Sequence, residues 1–86
     1  MTEILYSEKF ISQLEKLSPN IQNPVFKKIG VFKGDSKHPS LNTHKLNGKL
    51  KGYFAFSIDF QIRIIFEYGE DGDIHFLKIG SHDIYK

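Results

Sequence analysis

Cysteine is absent from this sequence of 86 residues, which excludes disulfides and thiolate metal sites and fits a reducing compartment. No apolar run approaches the about 18 residues that a membrane span requires. The opening stretch, MTEILYSEKF, has an early acid and lacks the long apolar segment of a secretory signal. We therefore expect a cytoplasmic protein with no membrane segment.

Positive and negative charges are nearly balanced, because the formal net charge is only +2. Its distribution is more informative than its sum. The stretch 37–51 has no acid, and it contains four lysines and two histidines: Lys37, His38, His44, Lys45, Lys49 and Lys51. This pattern is compatible with a solvated, lysine-rich loop or with a surface that binds nucleic-acid phosphates.

The remaining composition is that of a globular protein, with 40% apolar and 26% charged residues. The length predicts a single domain, residues 1–86, which buries only about 60–65% of its unfolded surface. Eight phenylalanines can supply much of such a small core.

The first half of the sequence predicts a strand and two helices. A short strand at 3–6 is followed by Ser7, a good helix cap, and by an apolar face with helical spacing. Ser18 and Pro19 interrupt that helix. We expect the second helix to use Asn23 as its cap and Pro24 as its first residue, and to end at Gly34. The residues expected on the apolar, core-facing sides of the two helices are Phe10, Ile11, Leu14, Leu17, Val25, Ile29 and Phe32.

The second half predicts strands after a loop at 35–51. Apolar and other residues alternate through 53–60 and 61–68, with the phenylalanines and isoleucines at 54, 56, 58, 60, 62, 64 and 66 on one face. A turn at 69–72 precedes a last strand at 73–80. The order β-α-α-β-β-β predicts an α+β fold, with a helical hairpin packed on one face of a twisted antiparallel sheet.

Arg63 and His82 are the first candidates for chemistry. Arg63 lies on the polar face of its strand, and His82 follows the last strand, so antiparallel pairing would bring them near each other. A permanent cation beside an imidazole suits a phosphodiester, whose cleavage needs a base, an acid and positive donors but no metal. Tyr85 could stack on an unpaired base. Alternatively, Arg63 could pair with Glu67 or Asp59, while His82 and Tyr85 only anchor the chain end.

Four segments resemble the RelE/ParE superfamily of toxins from type II toxin–antitoxin systems. They are H-K-L-N-G at 44–48, L-K-G-Y at 50–53, I-R-I-I-F at 62–66 and I-G-S-H-D-I-Y at 79–85. The resemblance implies a RelE-like fold and a small toxin that an antitoxin encoded nearby neutralises. Many relatives cleave mRNA on the ribosome without a cofactor, and the toxin–antitoxin complex often binds its own operator DNA.

The resemblance also implies roles for single residues. Arg63 would contact the scissile phosphate, His82 would be the general acid, Tyr85 the aromatic near the carboxyl end, and His44 the general base, with Asp59 a poorer candidate. RNA contacts would come from Lys45, Lys49, Lys51 and Tyr53. RelE-like enzymes carry lysines where this chain is aligned at Phe54 and Phe56. Two alternatives therefore stay open, a ParE-like inhibitor of DNA gyrase and a member that only binds.

Overall fold

The computed structural model describes residues 3–81 and 84, and it confirms the predicted α+β class. The elements are β1 (Ile4–Tyr6), α1 (Glu8–Glu15), α2 (Pro19–Gly34), β2 (His44–Lys45), β3 (Phe54–Ser57), β4 (Arg63–Tyr68) and β5 (Ile74–Gly80), with short 3₁₀ turns at Pro39–Leu41 and Gly48–Leu50. The five strands form one sheet with the order β1-β5-β4-β3-β2. Neither the length nor the hydropathy needed for a membrane span is found in a helix of the described residues.

The sheet is mixed, whereas the sequence predicted an antiparallel one. β1 pairs with β5 in parallel, and all other pairs are antiparallel. The sequence of a strand of only three residues does not indicate whether it pairs in parallel or antiparallel. The direction of β1 is therefore set by its pairing with β5 in the folded structure. Ser7 holds this junction, because its N–H donates to the Phe76 carbonyl at 3.0 Å and its hydroxyl to the Leu77 carbonyl at 2.9 Å. The Ser7 Oγ also accepts the Phe10 N–H at 2.9 Å, which confirms the predicted cap of α1.

The predicted start of the second helix is wrong. α2 begins at Pro19 and includes Pro24, so Pro24 is not its first residue. Pro19 suits the first turn because its ring presets a helical φ. The Gln22 amide donates to the carbonyls of Leu14 (3.2 Å) and Leu17 (2.8 Å), which holds the turn between the helices. The hydrogen bond that Pro24 cannot donate is missing at an exposed part of the helix, where water can satisfy the free carbonyl.

The core lies between the helices and one face of the sheet, here called the inner face. Phe32 of α2 stacks on Phe56 with ring centroids 4.6 Å apart, and it meets Phe66 and Phe76 edge-on at 5.1 and 5.4 Å. All four rings are fully or almost fully buried. The phenylalanines of three different strands are therefore joined through one side chain of the helix.

The outer face of the sheet, which points away from the helices, is not purely polar as the alternation predicted. Ala55 and Ile65 lie on it and are 0% and 2% exposed. Leu50 and Tyr53 line a small cavity together with Ile65, so the segment 46–53 covers this part of the sheet. Phe60 also differs from the prediction, because it lies in the bend after β3 and is 82% exposed.

Replacing Phe32 should test the core. Phe32→Ala removes the ring that contacts three strands, and we expect a loss of about 3–5 kcal/mol in the free energy of unfolding. Such a loss is a large part of the stability of a small domain. Chemical denaturation followed by circular dichroism measures it. Phe26→Ala is the matched control, because Phe26 lies on the same helix and is 54% exposed. Equal losses in the two variants would contradict this account of the core.

Candidate active site

A pocket of about 530 Å³ opens on the outer face, and it brings together three of the predicted residues, His44, Lys49 and Arg63. Asn42, Leu46, Asn47 and Leu50 complete its lining. No carboxylate is among the described residues that line it. The pocket therefore combines an imidazole with two cationic side chains.

Arg63 is the first residue of β4, where it pairs with Ser57 on one side and with Gly80 on the other. Its Nη1 atom is buried and has no hydrogen-bond partner among residues 3–81 and 84. The alternative partners suggested by the sequence are engaged elsewhere. The Asp59 carboxylate accepts the backbone N–H groups of Gln61 and Ile62 at 2.8 and 2.7 Å, and Glu67 faces His75.

His44 lies in β2, and its ring has a defined tautomer. The Nδ1 atom lies 2.9 Å from the carbonyl oxygen of Asn42, and a carbonyl can only accept, so Nδ1 carries the proton. In the neutral ring, Nε2 then has a free lone pair that can take a proton. Asn42 turns the chain here with a left-handed backbone, φ 51°, which asparagine tolerates better than most residues.

The segment 46–53 forms a closed loop between β2 and β3. The Leu46 N–H donates to the Tyr53 carbonyl at 3.0 Å. Gly48 and Gly52 have φ values of 66° and 97°, a region that favours glycine, so the HKLNG and LKGY segments serve this turn. The loop places Lys49 and Leu50 at the pocket.

The other predicted site residues are more scattered. Lys45 pairs with Phe54 and so points to the inner side of the sheet, away from His44. Lys51 is exposed in the loop, and Tyr53 lines the neighbouring small cavity. Asp59 holds a turn and does not line the pocket, so its role as the poorer candidate for the base stays a prediction. His82 and Tyr85 lie outside the described residues, so their roles stay predictions.

Phe54 and Phe56 occupy the inner face, where the ring of Phe56 packs against Phe32. The outer-face positions of the same strand are Ala55 and Ser57, opposite Ile65 and Arg63. The positions that are aligned with the lysines of RelE-like enzymes therefore lie on the inner face, whereas the pocket lies on the outer face.

Ile84 packs against the last residue of β5, Gly80. A Cβ atom on Gly80 would lie 2.6 Å from the Ile84 Cγ2 atom, so Ile84 packs where the side chain of residue 80 would be. Gly80 is directly opposite Arg63, and opposite residues of antiparallel strands share a face. Ile84, which is buried, therefore lies on the same side of the sheet as Arg63.

A second group of titratable side chains, which the sequence did not single out, lies on the outer face at the other end of β4. His75 Nε2 is 2.9 Å from the Asp73 carboxylate, and His75 Nδ1 is 3.7 Å from that of Glu67. The hydrogen bond to Asp73 and the charges of both acids raise the pKa of His75 above its usual 6.5. The spacing Asp73-x-His75 was visible in the sequence, but the approach of Glu67 depends on strand pairing.

No group of three or more histidine, aspartate or glutamate side chains in residues 3–81 and 84 is arranged to hold a metal ion.

The five-stranded sheet with a helical hairpin on one face is the fold of the RelE-family toxins, as the comparison with solved structures demonstrates. YafQ from E. coli strain BL21(DE3) superimposes with a TM-score of 0.80 over 99% of this chain and 98% of that one, at 15% identity. The YoeB/ParE toxin from Agrobacterium tumefaciens gives 0.76 over 94% and 99%, at 13% identity.

The RelBE2 toxin–antitoxin complex from Mycobacterium tuberculosis gives a TM-score of 0.76 over 94% of this chain and 98% of that one, at 16% identity. No family model and no curated protein matches the sequence. The resemblance seen in the sequence is thus confirmed at the level of the fold.

The raised pKa of His75 predicts a pH-dependent stability. Because the pKa of His75 is higher in the folded state, protonation of His75 stabilises the folded state. This stabilisation is fully present at pH values below about 6.5, the pKa of an unfolded histidine, and it is lost as the pH rises through the raised pKa. We expect His75→Gln to lower the melting temperature at pH 6, and this difference from the wild type to shrink at pH 8. His38→Gln is the control, since the His38 ring contacts only Ser40 in the described residues. A His75→Gln effect that is the same at both pH values would refute the prediction.

Gly80 provides a test of the packing of Ile84 against β5. Gly80→Ala places a methyl group against Ile84, and overpacking of this kind typically costs about 1–3 kcal/mol. Gly34→Ala is the control, because nothing lies within 4 Å of a Cβ atom there. Thermal unfolding of the two variants measures the difference. A double variant, Gly80→Ala with Ile84→Ala, should recover part of the loss, and no recovery would indicate that Ile84 is not the obstacle.

Proposed function

We propose that this protein is the toxin of a toxin–antitoxin pair and that it cleaves mRNA without a metal ion. The observation that carries the proposal is the buried Nη1 atom of Arg63, which lacks a partner in residues 3–81 and 84 beside an open basic pocket. A buried donor on a charged group is costly when unpaired, so the site favours an anionic ligand. A phosphate is a suitable ligand, because two of its oxygens can accept parallel hydrogen bonds from the guanidinium group.

The charges around the pocket support a polyanionic ligand. Within the described residues, no lysine or arginine forms an ion pair with a carboxylate, since both short contacts between charged groups involve His75. Lys49 and Arg63 are therefore available to RNA phosphates. Lys51, exposed on the same loop, can extend this contact.

His44 supplies the base in this mechanism. Its Nε2 lone pair takes the proton of the 2′-hydroxyl, and the 2′-oxygen attacks the adjacent phosphorus. The bond from phosphorus to the 5′-oxygen breaks, which leaves a 2′,3′-cyclic phosphate and a 5′-hydroxyl end. Arg63 donates hydrogen bonds to the phosphorane oxygens, where negative charge accumulates.

The acid in this mechanism is His82, which would protonate the leaving 5′-oxygen, and Tyr85 would stack on a base of the message. Both assignments come from the family resemblance. They gain support from Ile84, which packs against Gly80 on the side of the sheet that carries Arg63. The substrate would be single-stranded message held by the ribosome.

An antitoxin is the proposed partner. The RelBE2 structure is a toxin–antitoxin complex, and its toxin-like fold covers 94% of this chain. The resemblance implies an antitoxin encoded nearby, and operator binding by the complex alone. We do not favour the gyrase alternative, because an unpaired arginine in an open pocket serves a small anion better than a protein surface.

Mapping of message ends after induction in a bacterium tests the nuclease. The wild type should produce new 5′ ends within coding sequences. Arg63→Ala should reduce cleavage about 100- to 1,000-fold, because it removes donors to the transition state. His44→Gln should reduce it about 100- to 10,000-fold, because the base is lost.

His38→Gln is the matched control for His44, since both histidines are exposed and His38 lies outside the pocket. Melting temperatures must confirm that the variants are folded. Growth arrest with intact message would contradict the nuclease and indicate another target, such as gyrase. Harmless expression would identify a member that only binds.

A further inference from the structure

A second cavity on the outer face adjoins the pocket of Arg63. It has a volume of about 130 Å³, and its lining is Leu50, Tyr53, Ile65, Leu77 and Lys78. Leu50 lines both cavities, so the two are neighbours that share this side chain. Ile65 lies two residues after Arg63 on the same face of β4, which corresponds to about 7 Å along the strand.

The lining of this cavity is mainly apolar. Three aliphatic side chains and one aromatic ring surround it, and a single cation stands beside it. Lys78 is directly opposite Ile65 and forms no ion pair with a carboxylate of the described residues. A bulge between Ile65 and Phe66 shifts the register here, which lets Leu77 and Lys78 border the same cavity.

We propose that this cavity binds one unpaired base of the RNA whose phosphate lies at Arg63, and that Lys78 contacts a neighbouring phosphate. The inference rests on the proposed function and names the next part of its substrate site. Pockets for drug-sized ligands have volumes of about 300–1,000 Å³, so this smaller cavity suits a single base and not a folded RNA element. An aromatic ring beside apolar side chains is the usual platform for a splayed base, and a lysine beside it suits the backbone.

Ile65 is almost fully buried beneath the loop 46–53 and forms the floor of this cavity. The loop that positions Lys49 at the phosphate pocket thus also forms one wall of the base cavity. Phosphate and base would be bound by one structural unit.

Binding of a short single-stranded RNA tests the proposal when the 2′-hydroxyl at the cleavage site is replaced by hydrogen. Such an RNA cannot react, so affinity is measured apart from catalysis. Fluorescence anisotropy at several salt concentrations gives the slope of log K against log salt concentration. We expect this slope to be smaller in magnitude by about 1 for Lys78→Ala than for the wild type, because one phosphate contact is lost. Lys27→Ala is the control, because Lys27 is exposed on α2, on the other side of the sheet.

The base cavity has its own readout. Tyr53→Ala should weaken binding about 5- to 150-fold, and Tyr53→Phe should restore it because the ring is retained. An abasic site at one position of the RNA should weaken binding to the wild type but should not weaken it further in Tyr53→Ala. Equal affinity and equal salt slopes for wild type, Lys78→Ala and Tyr53→Ala would overturn the inference.

These outcomes separate the inference from the proposed function. Wild-type cleavage that depends on Arg63, together with unchanged Tyr53 and Lys78 variants, would reject the base cavity alone. Absence of RNA binding and of message cleavage by the wild type would reject both.

Discussion

The contact of Phe32 with three strands is the interaction on which the rest of this structure depends. The helices and the inner face are joined through this ring, which stacks on Phe56 and meets Phe66 and Phe76 edge-on. Such aromatic contacts add about 0.5–1.5 kcal/mol each beyond the burial of their area. With the inner face fixed, the outer-face residues of the same strands are fixed as well, and these include Arg63.

The outer face has a different organisation, because a loop rather than a helix covers it. Ala55 and Ile65 form its apolar floor, and the loop 46–53 closes over them with the help of two glycines in the left-handed region. The loop is therefore held by packing as well as by its hydrogen bond from Leu46 to Tyr53. A rigid loop can present Lys49 to Arg63 in one geometry beside His44 of β2, and a catalytic site requires such fixed positions.

Much of the fold could be read from the sequence, and its failures have physical causes. The cap at Ser7, the core face of Val25, Ile29 and Phe32, and the strand alternation were predicted from local patterns. The start of α2 was wrong because proline is tolerated where its missing bond lies at an exposed part of the helix. Ile65 was assigned to a polar face because alternation cannot reveal which loop covers a sheet.

The sequence by itself determined the class of the fold and the chemical types available, namely one arginine on a strand and imidazoles in a basic stretch, because periodicity and composition are local properties. Only the tertiary structure decided that His44, Lys49 and Arg63 share a pocket while Lys45 faces the other side of the sheet. Strand register decides such groupings, and register depends on contacts between segments far apart in the chain.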